Sequence, residues 1–283
     1  MKKAGDLAGD LVARLEQLNK KAAQRAKNNS GTPKPPEDTA ERKVVQLPLW
    51  PEAARGVPNS VLRSALFGIV RRGRRAYLER KEVAAVDGIK IIFSGPQLDQ
   101  ADLDVWEQCL HIARSNNLGN KIYFTAHSFL KAINRGTGKS QHEWLKGAFA
   151  RLSTSAVEIA DGKKAYFGAM IYGGARDEET GKYFIEINPK IMALYGYDSW
   201  TGIEFEQRLA LKSMPLAQWL HGFYSTHAKP YPYKTETIKK LCGSEVKELF
   251  NFRTQLKKAS AQVSKVTGWK IWIDDNDLLH VEK

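Results

Sequence analysis

Residues Pro230–Lys265, PYPYKTETIKKLCGSEVKELFNFRTQLKKASAQVSK, divide into a short helix, a tight turn and a long helix. Thr235 is placed to cap the first helix, and Ile238 and Leu241 to bury it. Cys242-Gly243-Ser244 makes the turn: glycine is free to take the backbone angles of a helix end, and serine can cap the next helix. In that second helix, read from Glu245 to Val266, apolar residues recur at spacings of three and four. They are Val246, Leu249, Phe252, Leu256, Ala259, Val263 and Val266, one stripe facing a core. The opposite face carries Lys247, Asn251, Thr254, Lys258 and Lys265, flanked by Arg253 and Lys257. Trp269–Ile273, an Asp-Asp-Asn-Asp turn and Leu278–Val281 then read as a hairpin. Helix, turn, basic helix and hairpin succeed one another as in a winged-helix module, whose second helix enters the major groove of DNA while the hairpin flanks the backbone.

The same order occurs earlier in the chain. Lys121–Thr125 reads as a strand, Ala126–Asn134 as a short helix and Arg135–Lys139 as a turn. Ser140–Thr154 reads as a helix with Leu145, Ala148, Phe149 and Leu152 buried. Ala156–Ile159 and Ala165–Ile171 alternate around Asp161-Gly162, a strong hairpin signal with Lys163 and Lys164 at its tip. This predicts a first wing at that hairpin. Gly88–Gly95 reads as a further strand and Asp99–Ser115 as a helix with Leu103, Trp106, Leu110 and Ala113 inward. The pattern breaks around Asp198–Gly202, which places a domain boundary there.

The predicted fold class is therefore α+β: two tandem winged-helix domains, residues 59–200 and 201–283, after a largely disordered N-terminal segment. Residues 1–43 hold a helix with Leu7, Leu11, Leu15 and Leu18 on one stripe, then the linker NNSGTPKPPEDTAER, too poor in apolar surface to fold. Residues 44–58 carry Gln46-Leu47-Pro48-Leu49-Trp50, apolar side chains standing out in an extended, proline-flanked run. Either they pack on this chain's own surface or they form a short linear motif that docks on a partner; the expectation is docking.

The formal charge is +13 on 283 residues, which favours polyanionic partners and salt-sensitive association. Its densest run is Arg71-Arg72-Gly73-Arg74-Arg75, read as a clamp on phosphates. Cys109 and Cys242 sit in apolar surroundings and read as reduced core residues of a cytoplasmic protein. The start, MKKAGDLAGDLVARL, has no continuous hydrophobic core of a signal, and no apolar run reaches membrane-spanning length, so no membrane partner is expected.

Four stretches converge on one family: QLPLW, Arg63–Phe67, HAKPYPYKTETIKKLCGS (His227–Ser244) and WIDDNDLLH (Trp272–His280). Together they resemble the TrfA family of plasmid replication initiators, over residues 44–283. The resemblance implies tandem winged-helix domains that bind repeated sites in double-stranded origin DNA (iterons) as monomers, with a homodimer as a less active form. It implies contact with the polymerase sliding clamp through Gln46, Leu47, Leu49 and Trp50, and contact with the host helicase and initiator. It places Ser244, Lys247 and Arg253 on DNA. The helix centre here, Glu248-Leu-Phe-Asn251, is less basic than the family pattern, which implies a different site specificity. From side-chain chemistry, Asn251 suits an adenine edge and Arg253 a guanine or phosphate. The full set expected at DNA is Lys139, Ser140, Gln141, Lys146, Arg151, Lys163 and Lys164 in the first domain. In the second it is Ser244, Lys247, Asn251, Arg253, Thr254, Lys257 and Lys258.

Catalytic signals are weak. Gly136-Thr-Gly-Lys-Ser140 resembles the end of a phosphate loop, but Ile133 stands where a Walker A motif needs its first glycine. Asp102-x-Asp104 and Asp275-x-Asp277 lie at a helix start and a hairpin tip, ordinary places for aspartate. The six histidines include no His-x-His or His-x₃-His pair, which a metal-dependent nickase would use. No enzyme, cofactor or metal is therefore expected. A transcriptional regulator or autorepressor using the same modules is the alternative; it would share every DNA-binding feature but have no use for a clamp peptide.

Overall fold

The structure is a computed structural model, which describes Lys20, Lys21 and residues 45–283, apart from Arg71, Arg72, Arg74, Asn120, Asp161, Lys163, Lys164, Glu178 and Tyr197. The readings of the helix and linker in residues 1–43, most of the Arg71–Arg75 run, and Lys163 and Lys164 fall outside the described residues.

The first elements are β1 (Ala54–Pro58), α1 (Asn59–Leu62), β2 (Phe67–Gly68), β3 (Tyr77–Val83), β4 (Lys90–Pro96) and β5 (Leu98–Asp99). Next come α2 (Gln100–Ala113), β6 (Ile122–Thr125), α3 (Ala126–Ala132), α4 (Lys139–Thr154), β7 (Ala156–Ala160) and β8 (Ala165–Gly168). Beyond them lie β9 (Gly173–Arg176), β10 (Lys182–Glu186), a 3₁₀ turn at Pro189–Leu194, β11 (Trp200–Glu204), α5 (Phe205–Ala210) and α6 (Pro215–Ser225). The chain closes with β12 (Tyr233–Lys234), α7 (Thr235–Leu241), α8 (Leu249–Thr267), β13 (Lys270–Ile273) and β14 (Leu278–Glu282).

One unit occurs twice: helix, strand, short helix, turn, long helix, hairpin. In the second copy α6, β12, α7 and α8 lead to the hairpin β13–β14, and the sheet order is β12-β14-β13. In the first, α2, β6, α3 and α4 are followed by the inserted strands β7 and β8 and then by the hairpin β9–β10, and the sheet order is β6-β10-β9. In both, the strand before the helix pair joins the last strand of the hairpin, which closes the unit around its core.

This corrects the wing expected at Ala156–Ile171. That hairpin forms, as β7–β8, but β7 pairs antiparallel with β4, with Ile91 opposite Ile159 and Phe93 opposite Val157. The result is a separate four-stranded sheet, β3-β4-β7-β8. The alternating pattern announces a hairpin; it does not say which distant strand covers its edge. The burial of Ile91, Phe93, Val157 and Ile159 against the core favours this pairing over a free wing.

Two hydrophobic cores result. The first gathers residues from Leu47 to Phe205, and the second residues from Leu211 to Val281. Because β11 pairs with β1, with Gly202 opposite Gly56, the chain stays with the first core past the expected division at residue 200. The helix α2 carries Trp106, Cys109 and Leu110 with no exposed surface, and its start is fixed by a capping box between Asp99 and Asp102.

Buried polar contacts hold α5 on α2, and others join α6 to the first core, among them Gln218 Nε2 donating to Asp104 Oδ1 at 3.3 Å. Arg208 of α5 is fully buried: Nε donates to Asp104 Oδ1 (2.8 Å), Nη1 to Gln100 Oε1 (3.2 Å) and Nη2 to the Gln100 carbonyl (3.1 Å). Glu107 lies 3.0 Å from the same Nε yet receives no hydrogen bond. Burial pushes its carboxyl up to about 7, against the pull of Arg208. Trp219 Nε1 donates to the Ser64 carbonyl at 3.0 Å, and Arg63 reaches Thr226 Oγ1 at 2.8 Å.

Candidate nucleic-acid interface

In the second unit, α7 ends in a Schellman arrangement: Gly243, at φ +67°, donates to the Lys240 carbonyl, and Ser244 donates to Lys239, each at 3.0 Å. The left-handed backbone there is what a glycine at that position permits. The turn also meets the chain at the end of β2. Ile69 N donates to the Cys242 carbonyl at 2.8 Å, and a Cβ on Gly68 would lie 3.2 Å from that same oxygen. The arginine-rich run thus starts two residues beyond a direct contact with this turn. Arg75, at its far end, is held by Asp99 and Asp102.

Two local expectations are corrected. The long helix begins at Leu249, not Glu245; Ser244 caps nothing, and its Oγ instead accepts from Val246 N at 3.4 Å. Val246 packs on the second core from an extended lead-in, which a helix start at 245 would swing away. Thr235 does not cap α7 either. It is the first helical residue, and its hydroxyl donates to Asp277 Oδ1 at 2.9 Å.

Asp277 is the junction of this unit. It sits at φ +63° in the hairpin turn and accepts Arg253 Nε at 2.6 Å and Nη2 at 2.9 Å. The Arg253 guanidinium holds the Asp277 carboxyl below the usual carboxylate range. Arg253 therefore braces the hairpin against α8 through its Nε and Nη2. The neighbouring Asp274 accepts from Leu278 N (2.8 Å), Asn276 N (3.0 Å) and His280 Nε2 (3.0 Å), which sets the turn.

The first turns of α8 offer solvent a mixed polar and apolar face. Asn251, Thr254, Gln255, Lys257 and Lys258 are exposed, with Lys247 on the lead-in. Phe250 is 73% exposed, a large apolar side chain on a helix surface. An open cleft of about 930 Å³ runs along this face, lined by Lys247, Phe250, Asn251, Thr254 and Ile69 among others. The sequence reading missed Phe250 and Gln255. Phe250 lies outside the apolar stripe, two positions before Phe252, and that phase is the signal that could have found it.

In the first unit, Lys139 and Ser140 are exposed at the start of α4. Gln141 accepts from Arg135 Nη1 at 3.2 Å, and that guanidinium lies 3.4 Å from the Trp144 ring centre. Lys146 pairs with Glu143 at 2.5 Å. Arg151 is a correction: Nη2 and Nε bond Asp102 Oδ1 at 2.6 and 3.1 Å. Asp102 is fully buried, and burial raises its pKa despite two arginines, so Arg151 serves to compensate it rather than to meet DNA. A groove of about 220 Å³ separates α4 from the β9–β10 hairpin, with Lys146, Ala150 and Gly174 on its walls.

The segment Gln46–Trp50 is the largest correction. Leu47 and Trp50 are buried in the first core. The Trp50 ring stacks on Tyr195 at 6.4 Å between centres, and its Nε1 donates to His111 Nδ1 at 3.2 Å. Gln46 Nε2 donates to the Arg114 carbonyl at 3.0 Å. Only Leu49 of the apolar three projects, 72% exposed. The expectation that this peptide stands free fails because β1, α2 and β11 leave a slot that an indole fills; a linear reading of the segment has no access to that slot.

Among the described residues, no group of three or more His, Cys, Asp or Glu is gathered as a metal ion would require, and no helix is long and apolar enough to cross a membrane. Cys109 and Cys242 are buried free thiols, and burial pushes Cys242 up to about 12.

The family model described as TrfA protein matches residues 38–283. The chain belongs to the TrfA family. A curated TrfA relative, the plasmid replication initiator protein of Escherichia coli, is 26% identical over 245 residues, covering 83% of this chain and 63% of its own length. The chain thus spans less than two thirds of that TrfA protein. Among solved structures, domains 2 and 3 of RctB align at a TM-score of 0.55 and 9% identity, over 80% of this chain and 99% of that one. The Pi initiator protein in complex with iteron DNA aligns at a TM-score of 0.47 and 13% identity, over 64% of this chain and 91% of that one.

Proposed function

We propose that this TrfA-family chain is a plasmid replication initiator that binds repeated origin sites in double-stranded DNA through two winged-helix units. The observation that carries the reading is the outer face of α8. It presents Phe250, Asn251, Thr254 and Gln255 in the first turns, with Lys247, Lys257 and Lys258 around them, beside a glycine-closed turn and a braced hairpin. Polar and apolar groups at a helix N-terminal end suit base edges in the major groove, and surrounding lysines suit phosphates. In this mechanism α8 and α4 enter successive major grooves. The hairpins β13–β14 and β9–β10 lie along the backbone, and the arginine-rich run adds phosphate attraction. Binding strains the neighbouring duplex, and host replication proteins, including the helicase and initiator, assemble there.

Clamp recruitment belongs to the same proposal in modified form. With Leu47 and Trp50 in the core, Leu49 alone of the three apolar side chains is offered by the docked segment, so clamp binding by this peptide requires its release. Pull-down of the polymerase clamp by wild type and by Leu49→Ala separates the cases. Loss in the variant supports a peptide ligand; equal capture places the clamp contact elsewhere.

The deciding experiment is binding to a plasmid-origin repeat against scrambled DNA across a range of salt. A specificity ratio of ~10³ or more with a steep salt slope supports the initiator reading. Equal affinity for both duplexes would reduce the chain to a general nucleic-acid binder.

A further inference from the structure

The face of α8 that lies open to solvent carries an aromatic ring that the fold does not use. Phe250 is 73% exposed, whereas Phe252, two positions on, is fully buried. No stacking partner within the described residues accompanies Phe250, and it is the exposed aromatic that lies on the outer face of α8 beside Asn251 and Thr254. One turn beyond, Thr254 donates its hydroxyl back to the Phe250 carbonyl at 3.2 Å. That donor is committed within the helix, so Thr254 adds a methyl rather than a free hydroxyl to the surface. Asn251, beside Phe250, has an exposed amide. These side chains border the 930 Å³ cleft, whose rim carries Lys247 beside Glu245.

We infer that Phe250, backed by Thr254, is a specificity-determining residue that reads the 5-methyl group of a thymine in the major groove. The inference rests on the DNA-binding reading above and names a feature of the sequence that α8 selects. The chemistry is particular. Among the four base pairs, only those with thymine present an apolar group in the major groove, and apolar side chains are what contact it. An exposed ring on a recognition helix gains by covering that methyl, and it has no polar atom with which to prefer any other base edge. Asn251 alongside can accept from and donate to an adenine, so the pair favours an A·T-containing step.

The test uses the full chain and a duplex enriched by wild type from a randomised pool. Each thymine of the enriched site is then replaced in turn by deoxyuridine, which removes the methyl and keeps every hydrogen-bonding group. Wild type should lose about fourfold in affinity at one or two positions, which is ~0.8 kcal/mol for one methyl removed from contact. Phe250→Ala should bind the thymine and deoxyuridine duplexes equally, with thermal unfolding unchanged. Phe250→Leu, which keeps an apolar group, should retain part of the discrimination. Wild type indifferent to deoxyuridine at every position would overturn the inference, as would Phe250→Ala keeping the wild-type pattern of losses. A pool that yields no enriched site overturns the parent DNA-binding reading itself, and does so before any substituted duplex is made.

Discussion

Trp50 shows how far a single side chain can change the meaning of a segment. Its indole lies among Tyr195, Trp200 and His111, and a Cβ added to Gly56 would run into the ring. Trp50→Ala should therefore destabilise the chain by ~3–5 kcal/mol in urea unfolding, the range for a large aromatic removed from a core. Leu49→Ala, at a largely exposed position, should stay within ~0.5 kcal/mol of wild type. Equal effects of the two would mean that the segment is not docked in solution. Glu107 makes a second residue-level prediction. Its folded pKa, about 7, lies above the ordinary glutamate value of 4.5, so between these pH values the folded state holds a proton that the unfolded state has released. Its contribution is thus fully present below about pH 4.5 and is lost as pH rises towards 7, at ~1.4 kcal/mol per unit within that window. Glu107→Gln removes this dependence. The stability difference between wild type and variant should shift in favour of wild type by about 2 kcal/mol between pH 7 and pH 5. Unfolding midpoints at the two pH values check it; a difference independent of pH would show that Glu107 is ionised throughout.

At the scale of elements, the hairpin β13–β14 is tied to both helices of its unit through one aspartate, which bonds Thr235 of α7 and Arg253 of α8. If Arg253 braces the hairpin rather than reading a base, Arg253→Ala and Asp277→Ala should weaken DNA binding by similar factors. The double variant should do little more than either, because both remove the same contact. The loss should be alike on selected and scrambled duplexes. Additive losses, or a loss confined to the selected duplex, would return Arg253 to base reading. This unit is largely legible in the sequence. The stripe from Leu249 to Val266, the Gly243 turn and the Asp274–Asp277 tip are local signals, and local signals specify helices and tight turns. The first unit is legible only in part. Its helix pair, α3 and α4, is read around the Arg135–Lys139 turn and from the apolar spacing of Leu145, Ala148 and Leu152, but the alternating pattern points to a hairpin at Ala156–Ile171 when β9–β10 takes that place. Which hairpin closes a unit depends on pairing with a strand far away in the chain, here β6 or β4, and the period-two pattern is the same in either case. The arginine at 151 is misread for a related reason: a positive charge looks available until the buried carboxylate opposite it, Asp102, is known.

At the scale of the molecule, residues 44–283 form one compact unit, and α6 is tied to the first core by the bonds from Gln218 to Asp104 and from Trp219 to the Ser64 carbonyl. Two helices held in fixed relation should engage their grooves together, so the lysines around α8 act on an already oriented complex. Their role can then be separated from that of the base-reading face. A lysine that neutralises a phosphate releases a counterion and steepens the dependence of log affinity on log salt by ~0.9, without regard to sequence. Lys257→Ala with Lys258→Ala should flatten that slope by about 1–2 while leaving the ratio of selected to scrambled affinity within about threefold. Asn251→Ala should do the reverse, lowering the ratio by about 10-fold or more at an unchanged slope, since a bidentate adenine contact contributes ~1–3 kcal/mol of discrimination. The two variants measured on the same duplexes over the same salt range form a crossed design. If both lower the ratio and neither moves the slope, the lysines read bases and the formal charge of +13 acts elsewhere on the chain. If both move the slope and neither the ratio, α8 lies along the backbone, and α4 becomes the helix that carries recognition.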